Sequence, residues 1–300
     1  MSAMPATPRL MAVESGLQAR PHPDRRLGGI LAAQGKLDPA GIERVLELQH
    51  REGSRFGAAA LHLKLITVED LVHAITAQYD LPHLRPDNRR ISLELVTAFE
   101  PFHACAEQMR ALRSQLLQRW PAEDGQAHSL AIVSPARGDG RSYLAANLAV
   151  AFAQLGCRTL LIDADLRWPR QHLIFDVSDR IGLSTVLSAR SDDRAAVTAL
   201  PAFGPLHLLP AGDCPPNPLD LLSREAWPAL LQVLRPAFDV ILIDTPAAEF
   251  CADALGVARR AGHALVVARK DGTRLSSTTE LISQLHDEGT RVMGTVLNAP

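Results

Sequence analysis

Between residues 103 and 300, short and almost wholly apolar runs alternate with longer mixed ones. "AIV" at 131–133, "LLID" at 160–163 and "ILID" at 241–244 carry no polar residue before their C-terminal ends. A strand with one wet face alternates polar and apolar residues, whereas a strand covered on both faces reads as a continuous apolar run. This pattern predicts strands at 129–134, 158–163, 206–210, 238–243, 263–268 and 291–297. Helices are predicted at 103–119, 141–155, 224–235, 251–260 and 276–288, the last with Ser277 and Glu280 at capping-box spacing. Strands separated by helices give an α/β, doubly wound, mostly parallel sheet with helices on both faces. With 47% apolar residues in 300, the chain can build such a core without disulfides or metals.

The ends of these runs carry the chemistry. The first is followed by "SPARGDGRS" (134–142) and then a helical run. Gly138 and Gly140 free the backbone to aim N–H groups at an anion, and a helix beginning at Ser142 favours negative charge at its N-terminus. Ser142 is placed to ligate Mg²⁺. The second run leads into Asp163, Asp165 and Arg167, and the third ends at Asp244. Carboxylates at strand C-termini lie beside the phosphate loop in doubly wound folds and can hold Mg²⁺. Each piece alone has a bland reading, since short Gly-rich turns and strand-end aspartates are common. Their order, three times at strand ends, points to a nucleotide site. Phosphate-binding loops normally end Gly-Lys-Ser/Thr, but Arg141 stands at the lysine position and Pro135 at the first glycine. Arginine is longer, planar and forked, so it meets phosphate with a different geometry.

The N-terminal part is organised differently. Residues 1–24 are expected to be a flexible tail and 81–102, with three prolines, a linker. Between them "RLGGILAAQGKLDPAGIERVLELQ" (26–49) aligns with "RFGAAALHLKLITVEDLVHAITAQ" (55–78) at a constant offset of 29. Arg26 matches Arg55, Gly28 matches Gly57, Leu37 matches Ile66 and Gln49 matches Gln78. Each copy predicts a short helix, a turn and a longer helix, with Asp38 and Thr67 as N-caps. The result is a small all-α helical-hairpin domain over 25–80.

Composition narrows the function classes. Thirty-one basic against 33 acidic residues give a net charge of −2, which provides no global field for nucleic acid. Cys105, Cys157, Cys214 and Cys251 are scattered without a C-x-x-C pair, and the histidines show no H-x-x-x-H spacing, so neither a disulfide frame nor zinc is expected. No run reaches the roughly 20 apolar residues of a membrane span, and the N-terminus lacks a signal-type apolar stretch. The expectation is a cytoplasmic protein that meets the inner membrane through a partner. Trp120, Trp168 and Trp227 are expected to be packing residues.

These motifs resemble the bacterial tyrosine kinases of exopolysaccharide and capsule assembly, the P-loop partners of chain-length-determinant membrane proteins. The resemblance spans about 103–300. It is carried by the loop at 134–142, "LLIDADLRWPRQ", "GLSTVL" (182–187), "LPAGDCPPNPLDLL" (209–222), "ILIDTP" and "MGTVLN" (293–298). It implies Mg·ATP on Gly138, Asp139, Gly140, Arg141, Ser142 and Tyr143, with Ser142, Asp163 and Asp244 serving the metal. Asp165 would act as base or orient the attack, with Asp163 and Arg141 beside it. Glu107, Arg110 and Arg113 match that family's ring-assembly motif and imply a homo-oligomer; from spacing alone they are one charged helix face. The resemblance implies an autokinase, in which a tyrosine hydroxyl of a neighbouring subunit attacks the γ-phosphate. The family's tyrosine-rich tail does not follow "VLNAP" and only Tyr79 and Tyr143 are present, which leaves an acceptor on another protein as the alternative.

The repeat resembles the N-terminal domain of type II secretion and pilus-extension ATPases, in some of which such motifs bind cyclic di-GMP. That implies a site made by Arg26, Gly28, Gln49, Arg55, Gly57 and Gln78. A protein-binding hairpin pair without a ligand accounts equally for the apolar positions. Two alternatives to a kinase also remain at this point: a catalytically weak or dead nucleotide-binding scaffold, and a positioning ATPase of the MinD/ParA kind. The second alternative needs a loop lysine where Ala136 stands.

Overall fold

The computed structural model describes residues 26–79, 83–84, 90–120 and 127–299, in two compact units divided at 80/81. The expected tail over 1–24 lies outside the described residues.

Among its described residues the N-terminal unit has four helices, α1 (Leu27–Ala33), α2 (Pro39–Glu52), α3 (Phe56–His62) and α4 (Val68–Gln78). The caps are those the sequence predicts. Asp38 accepts the Gly41 N–H at 2.7 Å, and Thr67 and Asp70 form a reciprocal capping box. The core shows the repeat directly: Leu31 and Ala60, Leu37 and Ile66, and Val45 and Ala74 are buried pairs, each 29 apart. Gly28 and Gly57 are buried against side chains. A Cβ at Gly28 would lie 3.1 Å from the Phe56 ring, and one at Gly57 2.7 Å from Leu71. Helix packing therefore accounts for both glycines.

The second unit is built on a seven-stranded sheet: β1 (His128–Val133), β2 (Thr159–Asp163), β3 (Thr198–Ala199), β4 (Leu206–Leu209), β5 (Val240–Asp244), β6 (His263–Arg269) and β7 (Arg291–Asn298). Their order is β3-β4-β2-β5-β1-β6-β7, with every pairing parallel except that of β3 with β4. β2 and β5 are buried along their whole length, as their unbroken apolar runs require. One face is covered by helices α5 (Val96–Phe99), α6 (Ala104–Arg119) and α7 (Arg141–Gln154). The other is covered mainly by the helices Pro218–Ser223, Ala226–Leu234, Asp253–Ala261 and Leu275–Asp287. Among the described residues no helix is long and apolar enough to cross a membrane.

Three expectations change. The stretch expected as a linker instead contributes Leu84, Leu95, Ala98 and Phe99 to the core of the second unit. Buried Asn147 of α7 holds this stretch in place. Its Oδ1 accepts the Thr97 N–H at 3.0 Å, and its Nδ2 donates to the Glu94 carbonyl at 2.8 Å. The last helix begins at Leu275 with Arg274 as N-cap, so Ser277 lies inside its first turn and is no cap. The short strand β3 and the helices Gln171–Phe175, Leu183–Leu187 and Pro218–Ser223 are too brief for periodicity to reveal.

Candidate active site

The strand register assembles the three motifs. β2, β5 and β1 are neighbours, with Asp163 beside Asp244 and Asp244 beside Ile132, two residues before the loop. Gly138 and Gly140 adopt positive φ of 86° and 99°, which glycine reaches without strain. Gly140 is the N-cap of α7 and provides no side-chain cap, so the first N–H groups of that helix are left for an anion. A cavity of about 510 Å³ opens there. It is lined by Gly138, Gly140, Ser142, Asp165, Trp168 and Arg170 among others.

Arg141 does something the sequence did not announce. It is only 7% exposed, and its guanidinium folds back beneath the loop. Nε donates to the Thr245 carbonyl at 2.8 Å and Nη1 to the Ala136 carbonyl at 2.9 Å and to the Ser134 hydroxyl. A planar fork presents these donors from two separate nitrogens, Nε and Nη1, whereas an ammonium's donors radiate from one. The bidentate phosphate clamp open to an arginine is thus replaced, for these nitrogens, by a brace under the loop. Asp139 is likewise turned inward. Its Oδ2 accepts the Ala136 N–H at 2.9 Å and its Oδ1 the Thr273 hydroxyl at 2.6 Å, while Asn298 donates to its carbonyl at 3.0 Å. Its side chain shapes the loop, and only its backbone remains for a phosphate.

Asp163 and Asp244 are both fully buried. Asp163 accepts N–H groups from Asp165, Arg170 and Gln171 at 3.2, 3.0 and 2.9 Å. Burial, then the neighbouring Asp244, pushes its carboxyl well above the usual range. Burial pushes Asp244 up to about 6, although Arg141, Gln171 and Ser142 favour its charged form. Asp244 Oδ2 accepts from Gln171 Nε2 at 2.8 Å, while its Oδ1 is buried with no hydrogen-bond partner. An orphaned carboxylate oxygen beside a serine hydroxyl and a second carboxylate is an oxygen donor set that fits a hard divalent cation. Gln171 is a residue that sequence reasoning missed. It is wholly buried and also donates to the Ser142 carbonyl at 3.1 Å, so it links β5 to the start of α7. Its only signal was its place in "LLIDADLRWPRQ".

Asp165 is 4% exposed and lines the cavity, with Oδ1 held by the Arg167 and Trp168 N–H groups at 3.2 and 2.9 Å. Arg167 turns away to pair with buried Asp253 at 2.8 Å. Tyr143 is half-buried on α7, where burial pushes its phenol up to about 12. Trp120 and Trp227 are buried as expected, but Trp168 is 42% exposed at the cavity mouth, which corrects its reading as a packing residue.

A relative decides the family. Over 209 residues the chain is 33% identical to tyrosine-protein kinase YwqD of Bacillus subtilis, covering 70% of this chain and 87% of that one. The chain belongs to the bacterial tyrosine-kinase family. It is 31% identical over 208 residues to tyrosine-protein kinase wzc of Salmonella typhimurium, where it spans 28% of that longer protein. Residues 128–281 also match the family described as cellulose biosynthesis protein BcsQ. Among solved structures, the kinase domain of Escherichia coli tyrosine kinase ETK aligns with a TM-score of 0.66 at 28% identity. It covers 72% of this chain and 84% of that one. The chimerical protein CapA2B2 aligns at 0.64 with 30% identity over 75% of this chain and 97% of that one. The septum site-determining protein MinD of Pyrococcus horikoshii, complexed with Mg-ADP, aligns at 0.50 with 27% identity over 56% and 69%. The kinase relatives thus match more of this chain than the positioning ATPase does.

Two further sets of expected site residues lie away from this cavity's lining. Arg110 donates to Glu107 Oε2 at 2.8 and 3.0 Å and to the Pro101 carbonyl at 2.6 Å. Arg113 is turned onto α7, where Nη1 donates to the Ala151 carbonyl at 2.7 Å, and burial lowers its pKa. The expected charged face is therefore an internal pair and a helix C-terminal contact. In the N-terminal unit, Arg26 and Arg55 are exposed at equivalent N-cap positions of α1 and α3. Gln49 and Gln78 lie in the last turns of α2 and α4. The groove beside Gln49 is lined by Leu46, Glu47, His50, Arg51, Gly53 and Ser54, and includes neither arginine.

Proposed function

We propose that this chain is an ATP-dependent tyrosine kinase that regulates the chain length and export of an exopolysaccharide. The observation that carries the reading is the fully buried pair Asp163 and Asp244, beside an uncapped helix N-terminus and an orphaned carboxylate oxygen. The backbone N–H groups of 138–142 and the start of α7 would bind and orient the phosphates of ATP. Ser142, Asp163 and Asp244 would hold Mg²⁺, which when bound neutralises phosphate charge. Asp165 would accept the proton of a tyrosine hydroxyl as its oxygen bonds to the γ-phosphorus and the electron pair of the broken bond leaves with ADP. Arg137 and Arg170 line the same cavity beside Arg141, whose Nε and Nη1 are committed beneath the loop. This last point also supports a second reading, a nucleotide-binding scaffold with weak transfer activity.

The acceptor tyrosine would be presented in trans, by a neighbouring copy or by the membrane partner. We place the protein at the cytoplasmic face of the inner membrane, held by the chain-length-determinant protein, with ring assembly through Glu107, Arg110 and Arg113 once their internal contacts are exchanged. We read the N-terminal unit as a protein-docking hairpin pair, because packing uses both motif glycines. A cyclic di-GMP titration tests the alternative: saturable binding lost in Arg26→Ala would overturn the docking reading.

The deciding experiment titrates ATP with and without Mg²⁺ and then measures phosphotyrosine in the presence of the membrane partner. Mg²⁺-dependent binding with tyrosine phosphorylation supports the kinase. Binding without phosphorylation supports the scaffold. No nucleotide binding sinks both.

A further inference from the structure

Trp168 and Phe250 are 42% and 53% exposed, yet they are not scattered. Their rings meet edge to face with centroids 5.3 Å apart, and the Arg137 guanidinium lies 5.2 Å from the Trp168 ring centroid. All three line the cavity that also holds Asp165 and the phosphate loop. Large aromatic rings left in water at a cavity rim mark a binding surface more often than a packing defect. The arrangement is also held in place. The Trp168 backbone N–H donates to Asp165 Oδ1 at 2.9 Å, which fixes the turn that carries the ring beside the carboxylate. The Arg137 N–H donates to Glu249 Oε1 at 2.7 Å, which ties the loop crest to the residue before Phe250.

Position decides what the surface takes. Trp168 and Phe250 follow the ends of β2 and β5, the strands that carry the acidic residues, so they flank the transferring end of a bound nucleotide. A separate cavity lies on the other flank of the loop, lined by Ala136, Arg137, Asp139, Arg269, Lys270 and Gly272 among others. That flank follows β6 and is the side left for the base.

We propose that Trp168, Phe250 and Arg137 form an acceptor subsite that receives the phenol ring of a tyrosine presented by another polypeptide. This rests on the kinase reading and adds to it the residues that position the acceptor. Ring stacking and the guanidinium favour a flat, electron-rich side chain over an aliphatic one. The subsite thereby selects tyrosine over a serine or threonine hydroxyl, and holds its oxygen toward Asp165.

The test uses the full chain with Mg·ADP and follows a fluorotyrosine amide by fluorine NMR, with leucine amide as competitor. Saturable line broadening that leucine amide does not compete away is expected. Trp168→Ala and Phe250→Ala, exposed positions that leave the core intact, should each weaken it by roughly tenfold. ADP affinity, measured separately, should change by no more than about twofold. Absent binding, binding indifferent to both substitutions, or a tenfold loss of ADP affinity in Trp168→Ala would overturn the proposal; the last would make the surface a base platform. Failure of the chain to bind ADP would sink the kinase reading instead, and the amide titration is then read on the nucleotide-free protein.

Discussion

Replacing Arg141 with lysine restores the usual residue at that loop position, and the structure says it should harm the protein. The guanidinium is 7% exposed and satisfies the Thr245 and Ala136 carbonyls and the Ser134 hydroxyl together. An ammonium on a shorter stem can keep about one of these contacts. The Ala136 carbonyl keeps the Ser134 hydroxyl as donor, but the buried Thr245 carbonyl loses its own, at about 1–3 kcal/mol. For a unit of this size each kcal/mol shifts the melting temperature by about 2–4 °C. Arg141→Lys should therefore melt roughly 2–12 °C lower in differential scanning calorimetry. Ordered nucleotide binding should weaken with it, because the loop loses its brace. The reasoning is refuted if the lysine variant melts at or above the parent temperature and transfers phosphate to tyrosine at least about tenfold faster. Arginine would then be the defect and its hydrogen bonds incidental.

Other outcomes follow from the same geometry. Gln171→Ala should raise the Mg²⁺ concentration needed for half-maximal nucleotide binding by about tenfold or more, because it frees the Asp244 carboxylate; an unchanged requirement would show that Gln171 only fills space. Asn147→Ala should cost about 2–4 kcal/mol in chemical denaturation, since it strands the Thr97 N–H and the Glu94 carbonyl; a loss under about 0.5 kcal/mol would mean that the 91–99 stretch holds without it. Asp244 titrates at about 6 in the fold against about 4 unfolded, so the folded state binds more protons in that window. Stability of the nucleotide-free protein should fall as pH rises through it and level off above, with Asp163 acting in the same direction; a melting temperature that climbs from pH 4 to pH 6 would contradict the burial argument.

Much of this fold could be read from the sequence because burial on both faces leaves a simple trace. The runs at 160–163 and 241–244 are apolar without interruption, and both are central strands. The 29-residue repeat predicted both hairpins and their caps, since Asp38 and Thr67 act on residues only three positions away. The stretch 81–102 was misread because prolines and charges describe local chain stiffness. The burial of Leu95 and Phe99 depends on α7, fifty residues further on. The site divides in the same way. Asp163, Asp165, Asp244 and Ser142 were visible because strand ends and helix starts are local events. Gln171, Trp168 and Phe250 were not, because their meaning comes from the cavity they share.

The sequence by itself determined a parallel sheet, a phosphate-loop turn and acidic strand ends, because periodicity and turn chemistry act within a few residues. It could name Arg141 as a departure but could not assign it a task. Only the tertiary structure decided that, by bringing the carbonyl of Thr245, 104 residues away, to the guanidinium. A buried donor takes whichever acceptors the fold leaves unsatisfied, and that is settled by packing.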